Sequence, residues 1–185
     1  MPDDRFRKLT AIFIGFLAML LAITSLGGSN AMKETINANI TASDTYSFYQ
    51  ARNVRQTSLA LAADAMESLL ATRPDLPDAA AEPIRKKIDS YRNTVKRYES
   101  DPSTGSGKKE LMEKAQGFEH RRDEAQRRDL SFEYAEALLQ IAIVLGSVAI
   151  AAASRLLLGG SIVLAALGVL LSVNGFFLLV ELPMH

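Results

Sequence analysis

The fold is decided by residues 137–180, ALLQIAIVLGSVAIAAASRLLLGGSIVLAALGVLLSVNGFFLLV, in which Arg155 is the only charged residue. Arg155 divides this stretch into two apolar runs, residues 137–154 and 156–180. A third run without Asp, Glu, Lys or Arg covers residues 9–32. Each run has roughly the 17–25 residues that a helix needs to cross the hydrocarbon core of a bilayer. The sequence therefore predicts three transmembrane helices.

Apolar runs of this kind also occur in two further settings. Soluble proteins contain them as buried core helices, but three of them in 185 residues, with nearly all the charge between the first and the second, favour a membrane protein. The first run follows Arg5, Arg7 and Lys8, a pattern that also describes a signal peptide. The run is long for the apolar part of such a peptide. We therefore expect an uncleaved membrane anchor.

Four regions follow from this division of the charge. Residues 1–28 are expected to hold an N-terminal tail and the first transmembrane helix, and residues 29–131 an extramembranous helical domain. Residues 132–154 form the predicted second transmembrane helix, and residues 155–185 the third with a short C-terminal tail. No stretch shows convincing alternation of apolar and polar residues, so the expected fold class is all-α.

Turn-forming residues divide the extramembranous domain. Residues 73–78, RPDLPD, and residues 101–107, DPSTGSG, cannot continue a helix. Residues 27–28 are both glycine and predict a bend after the first membrane helix. Ser29 or Asn30 is then the expected N-cap of the next helix.

Apolar residues at helical spacing predict that the domain is a coiled-coil-like bundle of three helices. No breaker follows Lys108, so the third helix is expected to continue through the second span to Ala153. The middle helix has the clearest stripe, with charged residues such as Arg92 on its outer side: Ile84, Ile88, Tyr91, Val95 and Tyr98. The stripe of the third helix is Leu111, Ala115, Phe118, Ala125 and Phe132. The first helix is less regular, and its expected buried face is Ile36, Ile40, Val54, Leu61, Ala65 and Leu69, broadened by Phe48, Leu59, Met66 and Leu70.

Each predicted membrane helix also carries a stripe of small residues. Lipid gives helices no hydrophobic reason to associate, so close approach through small side chains matters there. The spacing of four and three residues predicts tight packing, either within one chain or between copies. The stripes are Ala11, Gly15, Ala18 and Ala22 in the first helix, Ala142, Gly146, Ala149 and Ala153 in the second, and Ser161, Ala165, Gly168, Ser172 and Gly175 in the third.

Three polar residues lie in or near the predicted spans: Glu136, Gln140 and Asn174. An ionisable group inside a membrane indicates a functional site by default. The alternative is that Glu136 lies at headgroup depth and that Asn174 bonds to a neighbouring helix. The sequence offers no second intramembrane charge for a relay, which favours this alternative.

Residues 43–56 are the most distinctive part of the domain, because aromatic, amide and basic residues share one helix there. Such residues are common at interfaces, so the stretch is a candidate partner surface. The residues concerned are Tyr46, Tyr49, Gln50, Arg52 and Arg55. The alternative, which we favour, is that Tyr46, Phe48 and Tyr49 form the core of the bundle.

The sequence contains no constellation that is typical of catalysis. GSGKK at residues 105–109 lacks the first glycine, the Ser or Thr and the preceding strand of a phosphate-binding loop. His120 and His185 are far apart, and no cysteine could join them in a metal site. The net charge is zero, which argues against a nucleic-acid partner. We therefore expect no enzyme, cofactor, metal or small-molecule substrate.

Three segments carry a family likeness: GGSNA at residues 27–31, residues 44–56 with YQAR at 49–52, and EALLQIAIV at residues 136–144. Together they resemble a family of small bacterial membrane proteins that is catalogued as domain of unknown function 4337. The resemblance implies a bacterial source and the same order of span, domain, span and span. It implies no activity and no catalytic residue.

These observations favour a structural or interaction protein of a bacterial inner membrane that forms homo-oligomers through its small-residue stripes. Basic residues of the short segments place the N-terminus in the cytoplasm and residues 29–131 in the periplasm, although the basic residues 121–128 oppose this orientation. One alternative is a sensor or regulatory subunit of a larger membrane complex. Another is a small pore or transporter component, lined by the three polar residues of the spans.

Overall fold

The chain forms four helices in a computed structural model that describes residues 2–180, with side chains from residue 4 onwards. They are α1 (Pro2–Thr72), α2 (Asp78–Glu99), α3 (Lys108–Ala151) and α4 (Arg155–Phe177). The described residues contain no strand, so the predicted all-α fold is confirmed. Met1 and residues 181–185, with His185 and the end of the predicted tail, lie outside the described residues.

Three of the helices, α1, α3 and α4, are long and apolar enough to cross a membrane. Their most apolar stretches of 18 residues have mean hydropathies of 2.4, 1.8 and 2.5. No more than 28% of any of these stretches is buried within the chain. Apolar side chains that a chain leaves uncovered over such lengths are typical of helices that lie in lipid.

Both predicted breaks in the domain are confirmed. α1 ends at Thr72, directly before the sequence Arg73-Pro74, because proline restricts its predecessor and lacks a backbone donor. α2 begins after Pro77, whose carbonyl accepts the first helical hydrogen bonds. In the second loop the Asp101 carboxylate accepts hydrogen bonds from the Ser103 hydroxyl and the Thr104 amide. The continuous third helix is also confirmed, with its end at Ala151.

The predicted bend at Gly27 and Gly28 is wrong, and neither Ser29 nor Asn30 is an N-cap, because α1 continues without a break. The glycines serve packing instead. A Cβ on Gly27 would lie 2.7 Å from the Phe132 ring, and one on Gly28 would lie 3.2 Å from Phe132 Cβ. Helical glycine costs about 1 kcal/mol relative to alanine, which the close approach of α1 and α3 offsets.

The helices divide into two compact units. Unit 1 contains the residues up to Asn37 and those from Arg121 onwards, so its helices are the N-terminal part of α1, the C-terminal part of α3, and α4. Its core is centred on Leu17, Leu139, Ala142 and Ala165, against which Phe13 and Leu20 pack. The small core residues allow the three helices to approach closely.

Unit 2 is Ala38–His120, formed by the remaining parts of α1 and α3 with α2. The predicted stripe of α2 is confirmed, since Ile88 is buried and its other members are half-buried. Arg92, which the sequence predicts on the outer side of α2, instead contacts α1. Its guanidinium pairs with Asp64 and Glu67 of α1, so the charge joins two helices. Both carboxylates raise the pKa of Arg92.

The buried face of α1 differs from the predicted one. The expected residues Ile36, Ile40, Val54, Leu61, Ala65 and Leu69 are all exposed. Of the residues expected to broaden this face, Phe48 is exposed, whereas Leu59, Met66 and Leu70 are half-buried. The inner face mixes small, polar and large apolar residues at alternating intervals of four and three, a repeat that is typical of coiled coils. The inner face is Thr10, Ile14, Leu17, Leu21, Thr24, Gly28, Ala31, Thr35, Ala38, Ala42, Thr45, Tyr49, Arg52, Gln56, Leu59, Ala63, Met66 and Leu70.

Candidate functional site

The small residues of the second and third spans lie at the contact between α3 and α4. Ala142, Gly146 and Ala149 of α3 are buried, as are Ser161, Ala165, Gly168 and Gly175 of α4. The Ser161 hydroxyl donates a hydrogen bond to the Ala142 carbonyl at 2.6 Å. A Cβ on Gly168 would lie 2.9 Å from Leu139 Cγ, so the helices touch there through backbone. Ala153 is exposed, in the turn after α3.

We expect Ser161→Ala to destabilise the pair of helices by about 0.6 kcal/mol, and at most about 1.7 kcal/mol, the range measured for hydrogen bonds between membrane helices. The loss is modest because the Ala142 carbonyl keeps its partner within α3. The control is Ser147→Ala, since the exposed Ser147 hydroxyl donates only to Ile143 of its own helix. Unfolding by SDS in mixed micelles, followed by circular dichroism, measures both variants. Equal stabilities of the two variants would contradict this assignment.

The stripe of the first span points away from the rest of the chain. Ala11, Gly15, Ala18 and Ala22 are exposed, and a Cβ on Gly15 would meet no atom within 4 Å. The opposite side of α1 faces the other helices of unit 1. There the buried Thr24 hydroxyl lies 2.8 Å from the half-buried Ser172 hydroxyl of α4. This stripe therefore has no packing partner among the described residues.

Asn174 holds the end of α4. Its amide nitrogen donates to the Ser131 hydroxyl of α3 at 3.1 Å and to the Val180 carbonyl at 2.9 Å. Its amide oxygen accepts from the Val180 amide at 2.8 Å. These hydrogen bonds attach α4 to α3 and to the residues that follow Phe177. They use both polar atoms of the buried Asn174 side chain. This arrangement agrees with the alternative in which Asn174 bonds to a neighbouring helix.

Glu136 and Gln140 do not join Asn174 in a shared polar site. Glu136 is half-buried, and its Oε1 would lie 3.2 Å from a Cβ on Gly28. Gln140, one turn further along α3, is exposed. The hydrogen bonds of Asn174 go to Ser131 and Val180 and to neither of these residues.

Phe132 occupies the point where α1, α3 and α4 meet, and it is only 2% exposed. A Cβ on Gly27 or on Gly175 would lie 2.7 Å from its ring, so both glycines are needed to admit it. Phe176 packs edge-to-face against the ring, with centroids 4.9 Å apart. The sequence pattern places Phe132 in the stripe of α3 and Gly175 in the small-residue stripe of the third span, but it gives no signal that Gly27 contacts the same ring.

A cavity of about 160 Å³ opens beside Phe132 in unit 1. Its polar lining comes from Asn30 and Glu34 of α1 and Arg128 of α3, and its apolar lining includes Phe132 and Phe176. The Nε atom of Arg128 is buried and has no hydrogen-bond partner among the described residues. A buried donor without a partner is rare in proteins and costs about 1–3 kcal/mol. We call this cavity the Arg128 pocket.

The candidate partner surface in residues 46–55 does not form one face. Tyr49 and Arg52 lie on the inner face of α1, and the Arg52 guanidinium stacks 4.7 Å from the Tyr98 ring centroid. Tyr46 is half-buried, whereas Gln50 and Arg55 are exposed. Phe48 is 67% exposed, so the expectation that it belongs to the bundle core is wrong.

A polar cluster joins the three helices of unit 2. Lys108 of α3 donates to Gln56 of α1 at 2.9 Å and to Glu99 of α2 at 3.2 Å. The Gln56 amide also donates to Glu99 at 2.9 Å. The Gln56 hydrogen bond, aided by Lys108, lowers the pKa of Glu99 below its ordinary value. A cavity of about 300 Å³ borders this cluster, with Tyr49 and Met112 in its wall.

Two further carboxyl groups of unit 2 have a lowered pKa, Asp101 through the Ser103 hydroxyl and Glu110 through the Ser100 hydroxyl at 2.6 Å. The folded chain therefore holds these protons less tightly than the unfolded chain does. The stabilisation is present above the ordinary carboxyl pKa of about 4 and is lost as the pH falls below it.

We expect Glu110→Gln to reduce the acid sensitivity of the protein, because the variant has no carboxylate to protonate at this position. The measurement is the melting temperature of the detergent-solubilised full chain between pH 6 and pH 3. Glu113→Gln, an exposed position of the same helix, serves as the control. If Glu110→Gln loses as much thermal stability on acidification as the control does, the Ser100–Glu110 hydrogen bond contributes nothing to the pH dependence.

Among the described residues, no group of three or more His, Cys, Asp or Glu side chains is placed to hold a metal ion. Comparison with curated proteins and with solved structures found no match. The family model described as domain of unknown function, DUF4337, matches residues 6–178. This match covers all four helices almost completely. The chain therefore belongs to the family DUF4337.

Proposed function

We propose that this chain is a non-enzymatic structural or interaction protein of a bacterial inner membrane, and that it associates with copies of itself. In this proposal residues 1–28, 132–154 and 155–185 hold the three membrane spans. Residues 29–131 lie in the periplasm and the N-terminus in the cytoplasm, as the basic residues of the short segments favour. The exposed apolar surface of α1, α3 and α4 supports insertion into a membrane.

The observation that carries self-association is an apolar outer face of α1 within unit 2. Five large side chains of this face are 44–67% exposed: Ile40, Phe48, Val54, Leu61 and Leu69. At 3.6 residues per turn they fall on one side of the helix, away from its inner face. A cluster of exposed apolar side chains on a domain in water indicates a covered surface.

The pattern of this face fits a second copy of the same helix. Ile40, Val54 and Leu61 form one row at intervals of seven or fourteen residues, and Phe48 and Leu69 belong to a second row. Small residues lie between the rows, at Ala51, Ser58 and Ala65. Asp44 stands in the row of small residues and Arg55 in the second row, so these rows are uncharged only from Ser58 onwards. Small residues between large apolar ones allow two identical helices to approach closely, as an isologous interface requires.

The chain has no cysteine, so a single introduced thiol reports contact between copies without a competing thiol. We expect Ser58→Cys, in the groove, to form a disulfide-linked dimer in nanodiscs under mild oxidation. The control is Thr57→Cys, which is exposed on a different side of α1. Disulfide formation requires Cα atoms within about 7 Å, so it separates a tight pair of helices from random collision.

The native mass of the nanodisc-embedded protein completes the test. A homo-oligomer that Ser58→Cys cross-links, and Thr57→Cys does not, supports the proposal. A monomer overturns it, and so does one copy held in a complex with other proteins. The second outcome would instead favour an accessory subunit of a larger complex.

A further inference from the structure

We propose that the Arg128 pocket binds the headgroup of a phospholipid that carries a phosphate and a primary amine, such as phosphatidylethanolamine. The pocket lies where the charge-free run of α1 gives way to charged residues, and where α4 ends. If α1, α3 and α4 span the bilayer, this is the depth at which headgroups lie. The inference rests on the membrane insertion in the proposed function, but not on self-association.

Arg128 is the group that would bind the phosphate. Its side chain is half-buried, it lines the pocket, and its Nε has no hydrogen-bond partner among the described residues. A guanidinium presents donors in a fork that matches two oxygens of a phosphate. A phosphate in the pocket would accept charge-assisted hydrogen bonds from the guanidinium and neutralise its charge.

Glu34 and Asn30 are the groups that would bind the amine. Both are exposed on α1, one turn apart, and both line the pocket. Their side-chain oxygens are acceptors, which an ammonium group with three donors requires. With Arg128 and Glu34 the lining carries one positive and one negative charge, so its net charge matches a zwitterionic headgroup better than an anionic one.

The size and walls of the pocket agree with this ligand. Its volume of about 160 Å³ is several times the roughly 30 Å³ of one water molecule, which is room for a phosphate group with a short substituent. Gly27 and Gly175 also line the pocket, and Phe132 and Phe176 make part of its wall apolar. A glycerol or acyl segment could lie against those rings while the polar end reaches Arg128.

The test is lipid binding by the full chain in detergent, measured by native mass spectrometry during titration with phosphatidylethanolamine, phosphatidylcholine or phosphatidylglycerol. We expect phosphatidylethanolamine to bind most tightly. Arg128→Gln should weaken this binding about tenfold or more, since a charge-assisted hydrogen bond is lost. Glu34→Gln should reduce the preference for the primary amine over the choline headgroup. Lys33→Gln removes a neighbouring exposed charge outside the pocket. It should change neither the affinity for phosphatidylethanolamine nor the preference for the primary amine.

Several results would overturn the inference. The first is equal binding of the three lipids, and the second is an equal loss of binding in Arg128→Gln and Lys33→Gln. The third is displacement of the lipid by millimolar inorganic phosphate, which would make free phosphate the ligand. Circular dichroism of each variant shows whether it is folded. Resistance of the protein to alkaline carbonate extraction reports membrane insertion separately. An inserted protein without lipid preference disproves this inference alone, whereas an extractable protein disproves the membrane role in the proposed function.

Discussion

The double variant Val54→Asp/Leu61→Asp is expected to be monomeric under conditions in which the unmodified chain is a homo-oligomer. Each of the two side chains is more than 60% exposed in the single chain and lies on the outer face of α1. Burial of one aliphatic side chain contributes about 1.5–3 kcal/mol, and a dimer would bury four of them. Buried carboxylates without partners would add a penalty. We therefore expect association to weaken by at least about a thousandfold.

The helix itself should tolerate both substitutions, because neither residue belongs to the inner face that packs against α2 and α3. Circular dichroism should show unchanged helix content, and the native mass in nanodiscs should fall to that of one chain. Asn53→Asp/Thr57→Asp is the matched control, since it adds the same charge at two exposed positions on another side of α1. A double variant that keeps the native mass of the unmodified chain would show that the outer face is not the interface.

The second large effect is expected from Phe132→Ala. Phe132 is buried between Gly27, Gly175 and the edge of Phe176, so its removal leaves a cavity at the junction of three helices. Truncation of a buried phenylalanine costs about 3–5 kcal/mol, from lost apolar contacts and from the cavity. Relaxation cannot close this cavity easily, because the surrounding positions are glycines without side chains to fill it.

The measurement is reversible unfolding in mixed micelles of a mild detergent and SDS, followed by circular dichroism. Phe177→Ala is the matched control, because Phe177 is also an aromatic residue at the end of α4 and is 72% exposed. We expect the control to lie within about 0.5 kcal/mol of the unmodified chain. Similar losses for both variants would mean that Phe132 does not anchor the junction.

The two helix breaks at prolines and loop formers were predictable because their causes are local, whereas the glycines at 27 and 28 do not end a helix. The prolines of residues 73–78 and the loop formers of residues 101–107 stop helices wherever they occur, and both breaks lie where the sequence indicates. The charge-free runs likewise identify the helices that could span a membrane. The stripe of α2 was also predictable, since large apolar and charged residues alternate there with a helical period.

The partners of each helix face were not predictable by the same rules. Large apolar residues indicated Leu59, Met66 and Leu70 of the face that α1 packs in the domain, but they did not indicate Ala42 or Ala63. Large apolar residues lie on both sides of α1, at Leu59 and Met66 inside and at Val54 outside, so hydrophobicity alone did not identify the covered side.

In the candidate sites too, the sequence indicated residue types, and only the folded chain shows their contacts. Glu136, Gln140 and Asn174 were identified by type, yet only the folded chain shows that Asn174 uses its polar atoms to hold the end of α4. Residues of three helices line the Arg128 pocket, and Glu34 and Arg128 are about a hundred residues apart in the sequence. No local pattern could relate Glu34 to Arg128, because their proximity depends on which faces of α1 and α3 meet.

Local sequence is sufficient for the all-α class, the helix boundaries at prolines and loop formers, and the three apolar helices, because backbone restriction and hydrophobicity act within a few residues. Which faces are covered depends on the assembled fold. There Gly27 and Gly28 form a contact with Phe132 in place of the expected bend, and the outer face of α1 has no partner among the described residues. The physical reason is that close packing depends on the shapes of two surfaces at once, and one segment of sequence describes only one of them.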